Sequence, residues 1–387
     1  MQMFCKKLPN FNLPIKKLKC SLVSKAYHLP SQMKCVELNK YADCLDDLKI
    51  NATTSPPTDK EIGAHQALIK VMAASINPFD IEMTRGYGRE AMNVFRRMSK
   101  YPEFPLILGR DCSGIVIKRG KRFRRFKVGD AVTCVRWIDG QGTHAEYVVV
   151  NKCEMSLKPC NLTHTEASSF PYVGCTTWNA LIHSGVVPIT GRPKKVFIPG
   201  GTGGIGSFAV QLCQSFGHDV FTTCATDGIK ILNNIGIKNV IDYTSTNYLR
   251  DLESCGPFDV MYDTLNEKYF ELFKGLLRDM SFSSYVSLRP TLLPEMDEQG
   301  VALGLLKSGG KFLQSNLSQL SSGKGSYRWG FFTPNALMLD QIRPLIESGK
   351  IKPLIDKVFT IDDALDAYKH VAEGHTRGKT IIKMTED

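Results

Sequence analysis

Between Gly200 and Gly206 the chain reads GGTGGIG, and no other segment restricts the fold as tightly. A short apolar strand, Val196–Pro199, precedes the glycines, and an apolar helical segment near Ile205–Phe216 follows them. The run contains G-x-G-x-x-G at Gly201, Gly203 and Gly206. Alone that pattern is weak, but a strand before it and a helix after it supply the setting in which it acts. Glycine lets the chain turn sharply and lets backbone N–H groups approach a pyrophosphate, while the helix N-terminus adds partial positive charge. A purely structural glycine-rich turn is the plainer alternative. The downstream rhythm favours the binding reading: strand Asp219–Cys224, helix Gly228–Ile235, strand Asn239–Tyr243, strand Phe258–Asp263, helix Glu267–Leu277, strand Ser284–Leu288. Strands alternating with helices build a parallel sheet of βαβ units. The fold class is therefore α/β, with a Rossmann doubly wound parallel sheet that takes a dinucleotide.

Which dinucleotide is read from the end of the second strand. NAD sites usually place Asp or Glu there, about 20 residues past the glycines, to hold the ribose 2′-OH. This chain has Thr223-Cys224-Ala225-Thr226, and its first carboxylate is Asp227. Small and hydroxyl side chains leave room for a 2′-phosphate and do not repel it, so NADPH is the expected cofactor. No Arg fills the customary slot; Lys230 is a weaker stand-in.

Upstream the pattern changes. From Lys34 to Val150 short strand-like runs such as Ala67–Ala74, Ser113–Lys118 and Ala145–Val150 alternate with Gly, Pro and Asp, which predicts an all-β domain. Within it, Lys118–Lys127 (KRGKRFRRFK) is basic; it reads as a solvated hairpin turn, and no stable nucleic-acid partner is expected from it. With 387 residues the chain is too long for one ordinary core. The formal charge of +11 is concentrated at the start, where residues 1–33 hold six lysines and no acid. An acid-free basic leader over residues 1–33 predicts a mitochondrial transit peptide, although Pro9, Pro14 and Pro30 interrupt it and Arg is missing; a basic tail is the alternative. The 12 cysteines contain no C-x-x-C and sit singly in apolar stretches, which points to reduced thiols and against a structural zinc lobe.

Several segments together resemble the medium-chain dehydrogenase/reductase family. Phe126–Val132 (FKVGDAV) is similar to its F-x-x-G-D-x-V turn, Gly142–Val150 (GTHAEYVVV) to the strand that follows, and His164–Leu181 to the helix entering the cofactor domain. Gly200–Gly217 resembles the quinone oxidoreductase form of the cofactor loop. Phe104–Gly114 (FPLILGRDCSG), Tyr327–Phe332 (YRWGFF) and Gly374–Thr380 (GHTRGKT) narrow the likeness to a mitochondrial member of that subfamily. The resemblance implies a GroES-like β-barrel catalytic domain, discontinuous over residues 34–172 and 337–387, around a Rossmann domain over 173–336. Ligands of such a fold lie in the cleft between the two. It also permits a homodimer, a reticulon-type membrane protein as partner, and a link to ubiquinone biosynthesis in the mitochondrion.

Zinc-dependent members carry a Cys and later a Gly-His-Glu. Here those positions read Ile76-Asn77-Pro78-Phe79-Asp80 and Gly109-Arg110-Asp111, so no open tetrahedral zinc site is expected. Zinc-free relatives pass hydride to quinones or activated alkenes, whose developing charge spreads onto a carbonyl oxygen. A quinone or enone is therefore the expected substrate. Asn77 and Asp80 are candidate catalytic residues, as hydrogen-bond donor and its orienter, against ordinary turn chemistry. Tyr87 is a candidate proton donor or quinone-stacking ring, against a structural tyrosine. Arg110 and Asp111 are expected to pair with each other or with a neighbour. For the cofactor, Gly201, Thr202, Gly203, Gly204, Ile205 and Gly206 are expected around the phosphates and Thr176 near the nicotinamide. Ala225 and Tyr243 fall around the adenosine and Leu265 and Asn266 by the ribose. His375, Thr376 and Arg377 belong to a C-terminal segment that reaches the cofactor in relatives. An NADPH-binding interaction protein with little turnover is the competing reading.

Overall fold

The computed structural model describes residues 28–188, 191–265, 269–279 and 283–385. The first part of the chain runs β1 (Met33–Leu38), β2 (Leu48–Thr54), β3 (Gln66–Ile76), α1 (Pro78–Thr84), α2 (Arg89–Ser99), β4 (Leu106–Ile107), β5 (Asp111–Arg119), β6 (Ala131–Val135), β7 (Tyr147–Asn151) and β8 (Met155–Leu157). Helices α3 (His164–Ser168) and α4 (Pro171–Ile182) lead to the second part. There the order is β9 (Lys195–Ile198), α5 (Gly204–Ser215), β10 (Asp219–Cys224), α6 (Ile229–Asn234), β11 (Val240–Asp242), α7 (Tyr248–Cys255), β12 (Val260–Asp263), α8 (Phe270–Gly275) and β13 (Ser284–Ser287). It ends with α9 (Leu292–Gln299), α10 (Val301–Ser321) and β14 (Ser326–Trp329). The chain then turns back through α11 (Ala336–Glu347), β15 (Ile355–Thr360), α12 (Ala364–Glu373) and β16 (Lys379–Lys383).

The second sheet is parallel throughout, in the order β11-β10-β9-β12-β13-β14. Its order reverses between β9 and β12, which opens a crevice at the carboxyl ends of those strands. The strands are buried on both faces because helices cover both, and Val196, Ile198, Val260, Tyr262 and Val286 join Phe208, Ala209 and Leu212 of α5 in one core. The first part packs antiparallel strands around a separate core that includes Ile69, Val71, Val116, Val132 and Val150. β16 pairs antiparallel with β3, aligning Thr380 with Ile76, so the C-terminal segment returns to the N-terminal sheet.

The all-β expectation for Lys34–Val150 fails at residues 78–99, which form α1 and α2. The local reason for α1 was present in the sequence. Asn77 and Asp80 form a reciprocal capping box, and Pro78 sits at the first helical position, where its missing N–H costs nothing. The basic run is a turn anchored by two buried rings, Phe123 and Phe126, with Arg122 and Arg124 exposed and Arg125 paired with Asp340 of α11. Residues 1–27, which hold most of the expected leader, lie outside the described residues.

Candidate active site

Strand β9 ends at Ile198 and the glycine-rich turn follows at the open end of the crevice. Gly200 N–H donates to Thr223 Oγ1 at 3.1 Å and Gly201 N–H to the Thr223 carbonyl at 2.8 Å, which fasten the turn to β10. A Cβ at Gly206 would lie 2.1 Å from the Gly200 carbonyl oxygen, so that glycine serves the packing of helix on turn. Gly203 differs: the nearest atom to an added Cβ is 3.4 Å away and its φ of −71° suits any residue. Gly203 is also the N-cap of α5, and no side chain caps that helix. The first-turn N–H groups of Gly204, Ile205 and Gly206 lack intrahelical partners and carry the positive end of the helix dipole. They fit an anionic pyrophosphate.

Two further segments close on this turn. Leu265 lies beside it, since a Cβ on Gly200 would sit 3.4 Å from Leu265 Cδ2. Tyr243 follows β11, donates its N–H to the Cys224 carbonyl at 3.1 Å, and leaves its ring half exposed. Ala225 and Thr226 continue β10, and Thr226 Oγ1 donates to Asp242 at 2.5 Å. Gly203 forms an isolated parallel bridge with Gly378, so His375–Arg377 arrive at the same place from the far end of the chain. Arg377 pairs with Asp227, and a Cβ on Gly228 would lie 3.0 Å from Arg377 Nη1. Its guanidinium therefore stands at the end of β10, the position that sequence inspection left without an arginine. Thr176 is buried in α4 and donates to the Tyr172 carbonyl at 2.7 Å. Asn266 lies outside the described residues.

Beneath the turn lies a buried polar hub. Asp111 accepts from Ser75 Oγ at 2.6 Å, from Asn77 Nδ2 at 3.1 Å and from the Tyr172 N–H at 3.0 Å. Asp80 accepts from the Asn77 N–H at 2.8 Å and the Gly109 N–H at 3.1 Å. Asn77 and Asp80 are thus brought together, and both are buried. The hub's cation is Lys379, which sequence reasoning missed. Its ammonium donates to the Ile76 carbonyl at 3.2 Å and to Asn77 Oδ1. Its stem lies against the cofactor turn, 2.6 Å from where a Gly204 Cβ would be. Burial pulls the Lys379 ammonium below its ordinary range, opposed by Asp111 and Asp80, and burial pushes the Asp111 carboxyl up, opposed by Lys379.

Arg110 and Asp111 do not face one another, because neighbouring residues of a strand point to opposite sides. Arg110 is wholly buried, and its Nη1 donates to the Trp137 carbonyl at 3.0 Å. Burial lowers its guanidinium to about 10, with Asp80 opposing the shift. Among the described residues no three His, Cys, Asp or Glu side chains are grouped to hold a metal. Next to the hub, rings run in series: Phe79 meets Tyr87 edge-on at 6.1 Å and stacks on Tyr172 at 6.4 Å. Tyr172 stacks on Phe332 at 4.5 Å, and Phe332 stacks on Trp137 at 6.1 Å. Phe332 comes from the YRWGFF segment after β14, so the row spans both parts of the chain. Burial raises the Tyr87 phenol above its ordinary value, partly offset by Arg289.

Residues 63–159 match the family described as the alcohol dehydrogenase GroES-like domain, and residues 235–382 that described as zinc-binding dehydrogenase. The chain is 39% identical over 327 residues to the NAD(P)H oxidoreductase RTN4IP1, mitochondrial, of Bos taurus, covering 83% of this chain and 82% of that one. It is 34% identical over 323 residues to the reticulon-4-interacting protein 1, mitochondrial, of Caenorhabditis elegans, covering 82% and 88%. The fold is similar to that of the quinone oxidoreductase from Coxiella burnetii, with a TM-score of 0.73 at 24% identity over 92% of this chain and 100% of that one. With a GroES-like part, a Rossmann sheet and relatives matched over most of their length, the chain belongs to the medium-chain dehydrogenase/reductase family.

Proposed function

We propose that this protein is an NADPH-dependent, zinc-independent reductase of a quinone or enone, acting in the mitochondrion. The observation that carries the reading is the row of rings from Tyr87 through Phe79, Tyr172 and Phe332 to Trp137, set against the hub that adjoins the cofactor turn. Flat, offset aromatic surfaces suit a flat conjugated acceptor. When bound, the dinucleotide supplies a hydride. The chain's own task is to hold the acceptor flat, exclude water and provide a proton. Tyr87 is assigned the last role by its place at the end of the ring row, where its phenol is protonated at neutral pH. Asn77, Asp80, Asp111 and Lys379 act as positioning residues, because their hydrogen bonds join β3, β5 and β16 beneath the turn.

NADPH is favoured over NADH by the small and hydroxyl side chains of Thr223–Thr226 that end β10 and by the arrival beside them of Arg377, paired with Asp227, whose planar fork matches a phosphate. The mitochondrial location is supported by the names of the bovine and nematode relatives. That location favours a quinone of the ubiquinone type, or one of its precursors, as acceptor. Initial rates with NADPH and NADH against a panel of quinones and enones test the proposal. Saturable NADPH oxidation with a quinone is expected, with a kcat lowered at least tenfold in Tyr87→Phe and a similar KM. Tight NADPH binding with no turnover on any acceptor would instead support the interaction-protein reading.

A further inference from the structure

Helix α2 starts at a glycine, so its own N-cap residue has no side chain with which to cap it. Gly88 holds that position in the left-handed region, with φ of 76°. The cap comes from the other part of the chain. Asp297 of α9 accepts from the Gly88 N–H at 2.5 Å through Oδ2 and from the Glu90 N–H at 3.1 Å through Oδ1. The Asp297 backbone carbonyl also accepts from Arg89 Nη2 at 3.4 Å. One carboxylate, 209 residues away from Gly88 in sequence, thus does what an N-cap side chain does locally, and its charge meets the positive end of the helix dipole. Helix α1 is the contrast, capped from within by Asn77 and Asp80.

The grip is close and firmly based. A Cβ on Gly88 would lie 3.3 Å from Leu293 Cδ1, so α9 touches the turn itself. Behind Asp297, α9 is fixed to α10. Glu295 accepts from Lys307 and Lys311 at 2.7 and 2.6 Å, and a Cβ on Gly304 would lie 2.5 Å from the Met296 backbone.

Tyr87 is the residue so held. It precedes Gly88 in the turn between α1 and α2, and on its other side Gly86 is also left-handed, with φ of 83°. The Tyr87 N–H donates to the Glu82 carbonyl at 3.1 Å, which ties the turn to α1. Its ring meets Phe79 edge-on, and its phenol is within electrostatic reach of Arg289, two residues past β13, and of Asp297. An aspartate or serine at position 88 would stabilise α2 as well as Asp297 does. A cap drawn from the Rossmann part does something more: it makes the place of Tyr87 depend on how the two parts of the chain meet.

We propose that Asp297 is a positioning residue for proton delivery, gripping the Tyr87–Gly88 turn from the Rossmann part and so setting the phenol at the end of the ring row. This rests on the reading of Tyr87 as proton donor. A double-mutant cycle on the full chain, with NADPH and a short-chain ubiquinone analogue, tests it. Asp297→Ala is expected to lower kcat at least fivefold, with the NADPH Kd and the quinone KM within twofold of wild type. Asp297→Asn, which keeps one oxygen for the Gly88 N–H, recovers part of that loss. In a Tyr87→Phe chain, Asp297→Ala changes kcat less than twofold, because the group it positions is gone. Hydrogen exchange at the Gly88 and Glu90 amides reports the cap itself, and should be slow in wild type and faster in Asp297→Ala. Asp297→Ala at wild-type kcat beside a slow Tyr87→Phe overturns this proposal alone, as do losses that multiply in the double variant. Amides that exchange alike in both chains overturn it whatever the reaction. Tyr87→Phe at wild-type kcat removes the proton-donor reading and this proposal with it.

Discussion

Gly203 and Gly206 answer to different demands although they belong to one motif. Gly206→Val would drive a side chain into the Gly200 carbonyl, and the fold should lose on the order of 3 kcal/mol in denaturant unfolding. Gly203→Val meets no such obstacle and should fold with stability within about 1 kcal/mol of wild type. Its side chain would project toward the uncapped N–H groups of α5, so NADPH affinity by calorimetry should fall at least tenfold. His144 offers a second residue-level test. It is fully buried, its Nδ1 is 2.7 Å from Tyr368 Oη and its Nε2 is 3.0 Å from the Ser75 carbonyl. That carbonyl can only accept, so Nε2 carries the proton and Nδ1 accepts from the tyrosine. Burial lowers the His144 pKa, and that of His218 as well. In the window below about pH 6.5, the unfolded histidine binds protons that the folded one refuses, so stability falls as pH drops through it. Melting curves from pH 8 to pH 5.5 should show this slope, and His144→Gln should reduce it while also lowering stability at pH 8. The glycine motif was legible in sequence because its chemistry is local. Lys379 was not, because its hydrogen-bond partner Asn77 is 302 residues away.

At the scale of elements, β16 and the residues before it connect the two parts of the chain. Lys379→Met would leave the Ile76 carbonyl and Asn77 Oδ1 without this donor, and each buried group left unsatisfied costs about 1–3 kcal/mol. A loss of about 2–4 kcal/mol is expected from chemical denaturation. Arg377→Ala should weaken NADPH by about tenfold, or ~1.4 kcal/mol, and leave NADH little changed. Equal losses for both dinucleotides would place the guanidinium elsewhere than at the 2′-phosphate. Five of the six Rossmann strands, β9 to β13, were readable because buried parallel strands are mostly apolar runs between helices. Helix α1 was obscured by the turn-forming residues that cap it, Asn77, Pro78 and Asp80. Helix α10 carried no expectation from the sequence; its serines and glycines are weak helix formers, and its leucines share a face only once the helix is drawn.

On the scale of the whole molecule, the site exists only where distant segments meet. The turn comes from β9, the rings from α1, α4 and the segment after β14, and the buried lysine from β16. Family resemblance anticipated the returning C-terminal segment; composition and periodicity did not, since pairing of β16 with β3 leaves no local trace. A ligand that bridges these segments should stabilise the fold as a unit. NADPH at a hundredfold excess over its Kd adds about 2.7 kcal/mol to the folded state. The central claim concerns transfer without a metal, because the segments that resemble those holding Cys and Gly-His-Glu in zinc-dependent members read Ile76-Asn77-Pro78-Phe79-Asp80 and Gly109-Arg110-Asp111 here. The most direct test is anaerobic mixing of the protein, NADPH and a short-chain ubiquinone analogue with a strong metal chelator present, following absorbance at 340 nm and quinol formation together. One quinol formed per NADPH consumed, at a rate indifferent to the chelator, is the predicted result. Loss of the reaction on chelation, with recovery on adding zinc, would contradict the account.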